Sequence, residues 1–183
     1  MIISLTGFMG CGKSSVGRRL SELLCCPFMD LDDIIVERAG RRIPEIFASE
    51  GEAGFRRMEA EALEACIEKK AARDEACTIS SEGKARGVLA LGGGAVMTPS
   101  CAELVHEKTV CIYLRASVET LLDHLSGEAD GRPMLEGGSL RSRIEELMTL
   151  RSSTYEKTAH IIIDTDGKSI DSICQEIIAT VAQ

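Results

Sequence analysis

The sequence has few aromatic residues. Phe, Trp and Tyr together make up 3% of the 183 residues, and Trp is absent. Proteins that bind single-stranded nucleic acid stack its bases on aromatic side chains, so this composition gives little support to such a function. A formal net charge of -8 also disfavours contact with phosphate backbones and anionic lipids, because like charges repel. We therefore expect no nucleic-acid partner and no membrane partner.

The sequence also lacks a long apolar segment. Its longest apolar runs, such as residues 110–114 and 161–163, are far shorter than the roughly 20 residues of a membrane-spanning helix. The N-terminus has neither the basic region nor the apolar stretch of a secretory signal. The eight cysteines show no C-x-x-C motif and no zinc-type spacing with His. We expect a cytoplasmic monomer whose cysteines are mostly small buried residues.

Apolar runs alternate with segments of helical periodicity along the whole chain. A length of 183 residues fits a single domain, and we predict one domain over residues 1–183. The helical periodicity is clearest after Lys13, over residues 44–70 and over residues 170–181. The runs that we interpret as strands are residues 2–6, 28–29, 88–91, 110–114 and 160–164. The alternation predicts a three-layer α/β/α fold around a five-stranded parallel sheet.

The first predicted strand leads into a glycine-rich loop. Residues 7–14, GFMGCGKS, fit the phosphate-binding pattern G-x-x-x-x-G-K-[ST], with a strand before it and a helix after it. Backbone N–H groups of such a loop surround phosphate oxygens, the lysine supplies a cation, and the serine hydroxyl is a ligand for Mg²⁺. A chance glycine turn is the minor alternative. The predicted ATP-binding residues are Gly10, Cys11, Gly12, Lys13, Ser14 and Ser15.

Two carboxylates follow the second predicted strand. Asp30 and Asp32 are two residues apart, and in extended chain such side chains point the same way. One would then lie near a metal ion and the other near an acceptor hydroxyl. Alternatively, the acidic residues cap the next helix, Asp33 above all.

Three consecutive glycines, Gly92, Gly93 and Gly94, follow the third predicted strand. A turn needs one or two glycines, so the third suggests that another group approaches the backbone closely, although a flexible turn is the alternative. Ligands of open parallel sheets bind beyond the carboxyl ends of the strands. The phosphate loop, the aspartates and the glycines all follow such ends, so we predict that they share one crevice.

Two segments break the alternation of strands and helices. Residues 73–87 are polar and predict a surface loop. Residues 126–139 carry four glycines around Arg132, which suggests a mobile flap that closes a cation over the γ-phosphate. Arg56, Arg57 and Arg151 are solvated arginines or anion ligands; Arg151 is predicted to end a helix. His106, His124 and His160 show no metal spacing, and we interpret them as surface or core residues.

Taken together, the motifs resemble those of the shikimate kinases, small P-loop kinases of the nucleoside monophosphate kinase type with a mobile lid. The resemblance covers nearly the full chain and rests on six motifs in the family's order: GFMGCGKSS at 7–15, MDLD at 29–32, GFRRME at 54–59, LGGGAV at 91–96, GRPML at 131–135, and Arg151 before Tyr155. It implies a P-loop kinase fold, a lid at about 126–139 and a substrate-binding helical region at about 31–70.

The resemblance also implies the reaction and the residues that carry it out. The γ-phosphoryl group of ATP would pass to the 3-hydroxyl of shikimate, a step toward chorismate and the aromatic amino acids. Lys13 and Arg132 would contact the ATP phosphates, and Ser14 with Asp30 would hold Mg²⁺. Asp32 would hold and deprotonate the acceptor hydroxyl. The residues implied in shikimate binding are Asp32, Arg56, Gly93 and Arg151.

Three departures from the family pattern bear on these expectations. The family's adenine-stacking arginine, seven or eight residues before the lid arginine, is absent from residues 122–126. The family's R-x-P-L-Y is here RSSTY at 151–155, which predicts a looser turn between Arg151 and Tyr155. Residues 74–87 form an insertion without an assigned role. Two alternatives stay open: a kinase of another small hydroxy acid such as gluconate, and a P-loop module that binds nucleotide without catalysis.

Overall fold

The computed structural model describes residues 1–74, 85–126 and 139–182. The strands in these ranges are β1 (Ile2–Thr6), β2 (Phe28–Asp30), β3 (Gly87–Ala90), β4 (Val110–Arg115) and β5 (Ile161–Asp164). The helices are α1 (Lys13–Leu23), α2 (Leu31–Ala39), α3 (Ile43–Asp74), α4 (Pro99–Lys108), α5 (Val118–Leu125), α6 (Leu140–Thr158) and α7 (Ile170–Val181), with a 3₁₀ turn at Ala95–Met97. Strands and helices alternate as predicted.

The five strands form one parallel sheet in the order β2-β3-β1-β4-β5. Ile3 pairs with Val88 of β3 on one side and with Val110 of β4 on the other. All four strand pairs are parallel, so the carboxyl ends of the strands meet at one edge. The predicted five-stranded parallel sheet is therefore confirmed, with strand ends that differ by one residue or so. The phosphate loop, the aspartates and the glycines all emerge at this edge.

Side chains of the sheet alternate between two apolar layers. Along β4, Ile112 and Leu114 pack on the side of α1, α5 and α7, whereas Cys111 and Tyr113 pack on the side of α2, α3 and α4. This alternation follows from the period of two in a strand and gives the predicted three layers. Most cysteines in the described ranges are buried, as expected from the sequence: Cys11, Cys66, Cys101, Cys111 and Cys174.

Helix α3 is longer than predicted and contains a sharp bend. It begins one residue before Pro44, whose missing N–H suits a first helical turn. At Gly51 the backbone has φ 67° and ψ -176°, which is not helical, so α3 consists of two helices joined at this residue. Its second part extends to Asp74, so Arg73 and Asp74 are helical rather than part of the predicted loop. Residues 75–84 lie outside the described ranges.

Helix α6 corrects the prediction that a helix ends at Arg151. The helix continues to Thr158, and Arg151 and Tyr155 lie one turn apart on it. The expected loose turn between them is therefore wrong. The Ser152 hydroxyl donates to the carbonyl of Met148, four residues earlier, at 2.6 Å, so this polar group finds its partner within the helix.

The predicted flap is described only at its ends. Ser126 follows the last residue of α5, and Ser139 caps α6 by accepting a hydrogen bond from the Ser142 N–H at 3.2 Å. Residues 127–138, including Arg132, lie outside the described ranges, so the flap stays a prediction. Within the described ranges, no helix has the length and apolar character needed to cross a membrane.

Candidate active site

A cavity of about 790 Å³ opens at the carboxyl edge of the sheet. Loops after β1, β2, β3 and β5 contribute to it, together with α3, α5 and α6. All predicted site residues within the described ranges line this cavity: Gly10, Cys11, Gly12, Lys13, Ser14, Ser15, Asp30, Asp32, Arg56, Gly93 and Arg151. The predicted lid residue Arg132 lies outside those ranges.

The phosphate loop is closed around the ammonium group of Lys13. The Lys13 side chain donates to the carbonyl oxygens of Gly7 at 3.0 Å and Phe8 at 2.8 Å, and it lies 3.9 Å from Cys11 Sγ. Lys13 is only 8% exposed. A positive charge is thus held inside the loop at the N-terminus of α1, where the helix dipole also favours an anion.

Ser14 and Asp30 form the oxygen pair expected of a metal site. The Ser14 hydroxyl donates to Asp30 Oδ2 at 2.6 Å, and Asp30 Oδ1 accepts from the Asp32 N–H at 3.1 Å. Asp30 is therefore the N-cap of α2, whereas the sequence favoured Asp33 for any capping role. One carboxylate here both caps a helix and meets the phosphate loop.

Asp32 reaches the cavity for a different reason from the one predicted. It lies in the first turn of α2 rather than in extended chain, so the argument from the strand period does not apply. The helix turns its carboxylate toward Gly92: a Cβ atom built on Gly92 would lie 2.9 Å from Asp32 Oδ1 and 2.7 Å from Glu59 Oε1. Real Cβ atoms do not approach other atoms so closely, so only glycine fits at this position.

Close approach also explains the other two glycines. A Cβ atom on Gly93 would lie 3.1 Å from the Met9 nitrogen, and one on Gly94 would lie 2.6 Å from Nη1 of Arg56. The prediction that other groups approach this backbone closely is confirmed. The glycines leave space for two carboxylates, the phosphate loop and a guanidinium group.

Arg56 is neutralised by a carboxylate that the sequence analysis did not assign to the site. Its Nη1 donates to Glu59 Oε2 at 2.6 Å, and Glu59 is 1% exposed. Burial raises the pKa of the Glu59 carboxyl; the Arg56 charge opposes this, and the nearby Asp32 carboxylate adds to it. Burial lowers the pKa of Arg56, but the charge and hydrogen bond of Glu59 outweigh it. Arg56 and Glu59 are three residues apart on a helix, which places their side chains side by side, and this spacing is the sequence signal from which the pair could have been predicted.

Arg151 is a buried cation in a different electrostatic position. It is 6% exposed, and its Nη1 donates to the Gly93 carbonyl at 3.4 Å. Within the described residues it forms no ion pair with a carboxylate. Its charge acts on the Glu59 carboxyl and lowers the pKa of that group, but Glu59 is already hydrogen-bonded to Arg56. A buried guanidinium that no carboxylate contacts directly is unfavourable, so the cavity at Arg151 favours a bound anion.

Comparison with known proteins places these observations in a family. The family model described as SKI: Shikimate kinase matches residues 9–182. A shikimate kinase from Thioalkalivibrio sulfidiphilus is 42% identical over 175 residues, which is 96% of this chain and 84% of the relative. The chain belongs to the shikimate kinase family. The expected ATP-dependent kinase class is thereby confirmed.

Solved structures agree with this family. A shikimate kinase from Acinetobacter baumannii in complex with shikimate is 31% identical, with a TM-score of 0.86 over 98% of this chain and 92% of that chain. A gluconokinase from Sinorhizobium meliloti is 16% identical, with a TM-score of 0.53 over 98% of this chain and 90% of that chain, and shows the fold alone. This similarity shows a shared fold and does not support the alternative that the chain is a gluconate kinase.

His124 occupies the stretch where this shikimate kinase lacks the expected arginine. It lies near the end of α5, lines the cavity, and hydrogen-bonds through Nδ1 to the Gly10 carbonyl at 2.7 Å. A carbonyl only accepts, so Nδ1 carries the proton. Thr165 and Lys168, after β5, also line the cavity. No site role was predicted for these residues, because a lone His or Lys carries no spacing signal.

Proposed function

We propose that this kinase transfers the γ-phosphoryl group of ATP to the 3-hydroxyl of shikimate, using the residues that converge on the cavity. The observation that supports the acceptor best is Arg151. This buried guanidinium forms no ion pair with a carboxylate among the described residues, and it lines the same cavity as Asp32. An acceptor with a carboxylate at one end and a hydroxyl at the other supplies what both groups need.

The phosphate loop binds the donor. Backbone N–H groups and side chains from Gly10 to Ser15 surround the phosphates, and Lys13 exchanges its two carbonyl partners for phosphate oxygens. Arg132 closes over the same phosphates from the proposed lid. Cys11 is buried within the loop, where its small side chain fills space beside Gly7. No covalent intermediate with the enzyme is needed.

Ser14 and Asp30 are the residues that would hold Mg²⁺. A hydroxyl and a carboxylate are hard oxygen donors, which suits this ion. Two protein ligands fit a metal that keeps most of its shell for water and nucleotide phosphates. Within the described ranges no group of three His, Cys, Asp or Glu side chains forms a metal site. Bound Mg²⁺ supplies charge neutralisation for the phosphates.

Asp32 orients the acceptor hydroxyl and takes its proton. The hydroxyl oxygen forms a bond to the γ-phosphorus, the bond from that phosphorus to the β–γ bridging oxygen breaks, and ADP leaves. The hydroxyl proton passes to the Asp32 carboxylate. Glu59, held by Arg56, and Asp32 both lie beside Gly92. Positioning therefore supplies much of the catalysis.

Arg151 and Arg56 together bind the acceptor carboxylate. Arg56 is already paired with Glu59, so the pair carries little net charge, whereas Arg151 keeps its charge for the ligand. This division predicts that Arg151 carries most of the discrimination between a carboxylate and a neutral group. The phosphate acceptor is thereby selected by charge as well as by shape.

A substrate panel with a charge-neutral analogue tests this proposal. ADP release is measured with shikimate, shikimate methyl ester and gluconate as acceptors. We expect shikimate to exceed its ester by about 100-fold in kcat/KM, and Arg151→Gln to reduce this ratio below about 10-fold, because the charge that distinguishes them is gone.

Arg141→Gln is the matched control, since Arg141 lies on the same helix, has a half-exposed side chain and pairs with Glu119 at 3.1 Å. Its ratio should equal that of the unmodified enzyme. Turnover of gluconate without turnover of shikimate would contradict the substrate assignment. An unchanged ester ratio in Arg151→Gln would instead contradict the role of Arg151 alone.

The proposed setting is a reducing cytoplasm. Cys11, Cys101, Cys111 and Cys174 are buried thiols, which a reducing compartment keeps intact, and ATP is a cytoplasmic substrate. The monomeric state stays a prediction from the sequence, and light scattering in solution measures it.

A further inference from the structure

Tyr155 is a buried tyrosine whose hydroxyl contacts the backbone of the active site. Its side chain is 0% exposed and lies between the sheet and α6. The hydroxyl donates a hydrogen bond to the carbonyl oxygen of Gly93. Arg151, one helical turn earlier on α6, donates to the same oxygen at 3.4 Å. Two side chains of one helix thus hold a single carbonyl of the glycine loop.

The peptide between Gly93 and Gly94 needs such support. Neither residue has a Cβ atom, so rotation of this peptide plane meets few steric barriers. Because the peptide is planar and trans, the Gly94 N–H points opposite to the Gly93 carbonyl. Fixing the carbonyl toward Tyr155 therefore fixes the N–H away from it.

The N–H groups of this loop are available to a ligand. Those of Gly92, Gly93 and Gly94 donate to no acceptor in the described part of the chain, and all three residues line the cavity. The guanidinium of Arg56 lies against Gly94. N–H groups left without acceptors at a cavity wall form a binding site for oxygen atoms.

We infer that Tyr155 is a positioning residue for the acceptor: its hydroxyl fixes the Gly93–Gly94 peptide so that the backbone N–H groups of the loop face the bound acid. This inference rests on the proposed position of shikimate beside Gly93 and Arg151. Tyr155 itself does not touch the substrate. It acts through the backbone that does.

Tyr155→Phe removes the hydroxyl oxygen and keeps the ring in the core. We expect KM for shikimate to rise about 10-fold, which corresponds to about 1.4 kcal/mol of binding, while KM for ATP stays within about 2-fold. The split arises because the fixed peptide belongs to the proposed acceptor site, whereas the proposed ATP ligands are Gly10 to Ser15 and Arg132. A purely structural role would lower stability without separating the two KM values.

Tyr113→Phe is the matched control. Tyr113 packs against Tyr155 with ring centroids 5.2 Å apart, and it shares the same apolar layer. Its hydroxyl makes no contact with Gly93 in the described structure. The same chemical change at this site should leave both KM values within about 2-fold of the unmodified enzyme.

A spectroscopic measurement covers the case in which Tyr155→Phe fails to fold. The chain has two tyrosines, so 3-fluorotyrosine in Tyr113→Phe labels Tyr155 alone. We expect its ¹⁹F resonance to shift on addition of shikimate and to stay unchanged on addition of ADP. A resonance that shikimate does not move would overturn the inference.

The kinetic outcomes also separate this inference from the proposed function. If Tyr155→Phe is kinetically normal while Arg151→Gln loses the ester discrimination, the role of Tyr155 is wrong and the binding site stands. If both variants are normal, the site assignment is wrong. Equal rises of both KM values in Tyr155→Phe reduce its role to general stability and likewise overturn the inference.

Discussion

At the scale of single residues, the cavity combines charges in two different states. Arg56 is neutralised by Glu59 inside the protein. Arg151, by contrast, forms no ion pair with any carboxylate in the described ranges, so its charge is available to a ligand. Lys13 lies between these states, because neutral carbonyls satisfy its hydrogen bonds without cancelling its charge. An acidic protein thus binds anionic substrates through a few placed cations and backbone N–H groups.

The role proposed for Asp32 predicts a specific kinetic loss. In Asp32→Asn the side chain keeps its size but loses its charge and its basicity, so we expect kcat to fall about 100-fold or more while ATP affinity stays within about 2-fold. Steady-state ADP release and nucleotide binding at equilibrium measure the two quantities.

Asp33→Asn controls for the loss of negative charge near α2. Asp33 is adjacent, its side chain is 75% exposed, and it lies 3.6 Å from Arg18 at the surface. Its turnover should be normal. Near-normal turnover of Asp32→Asn, or an equal loss in both variants, would show that Asp32 does not orient the acceptor.

Residues with their own motif were predictable from the sequence, and residues that act through a neighbour were not. Lys13, Ser14 and Asp30 belong to recognisable patterns, and the structure brings them together. Glu59 carries a function only because it is buried beside Arg56, and His124 only because α5 brings it to Gly10. Burial and tertiary contacts of this kind leave no local periodicity.

At the scale of elements, the bend in α3 determines where the side chains on the proposed acceptor side of the cavity lie. Gly51 separates a first helix, which includes Ile46 in the core, from a second helix that carries Arg56 and Glu59. The direction of the second helix, and hence of the Arg56 side chain, depends on the unusual backbone at Gly51.

The backbone conformation at Gly51 predicts that alanine costs more stability there than at Gly40, a second exposed glycine. Gly51 has φ 67° and ψ -176°, a region reserved for glycine, and a Cβ atom there would meet nothing within 4 Å. Gly51→Ala should therefore lower the free energy of unfolding by about 2–3 kcal/mol through backbone strain alone. Urea unfolding measures this change.

Gly40→Ala is the comparison. Gly40 ends α2 at φ 63° and ψ 17°, where a Cβ atom also meets nothing within 4 Å. This left-handed conformation costs alanine about 1 kcal/mol, less than the Gly51 region does. A loss at Gly51 equal to or smaller than that at Gly40 would mean that the bend relaxes without cost.

The strands were easier to predict than the helix ends. Buried parallel strands are short apolar runs, which the sequence shows directly, whereas α6 passes through a polar stretch that looks like a turn. The Ser152 hydroxyl bonds to the Met148 carbonyl within the helix, and no local pattern of the sequence distinguishes this arrangement from a helix break. The sequence did not predict the bend at Gly51, because helical patterns tolerate glycine: Gly54, three residues later in the same element, is helical.

At the scale of the whole molecule, the end of the sheet opposite the cavity holds a pair of stacked histidines. The rings of His106 and His160 lie 4.4 Å apart at 7°. The Cys111 N–H donates to His160 Nδ1 at 3.1 Å, so this nitrogen must be unprotonated. Burial lowers the pKa of His160, and the neighbouring His106 lowers it further.

This pair predicts a loss of stability on mild acidification. The unfolded chain binds a proton at His160 near pH 6.5, whereas the folded chain binds it only at lower pH, so the free energy of unfolding falls as pH drops through and below about 6.5. Urea unfolding between about pH 7.5 and about 5.5 should show this decrease.

His160→Asn isolates the contribution of the imidazole. The Asn side-chain oxygen accepts a hydrogen bond as His160 Nδ1 does, but it does not titrate. The variant should therefore lose less stability than the unmodified protein over the same pH range, with other titrating groups unchanged. Identical pH dependence in the two proteins would exclude a role for His160.

The strand order also divides the chain by task. The proposed acceptor residues Asp32, Arg56 and Gly93 lie between the start of β2 and the turn after β3, a continuous stretch whose strands lie on one side of the central strand β1. Among the described residues, the proposed phosphate ligands follow β1, the proposed metal ligand Asp30 ends β2, and Arg151 is the one proposed acceptor ligand encoded outside the stretch. One continuous segment of the gene thus encodes most of the residues proposed to select the acid. An exchange of this stretch between related genes would therefore replace most of the proposed acceptor ligands, whereas Arg151 and Tyr155 of α6 would have to change separately.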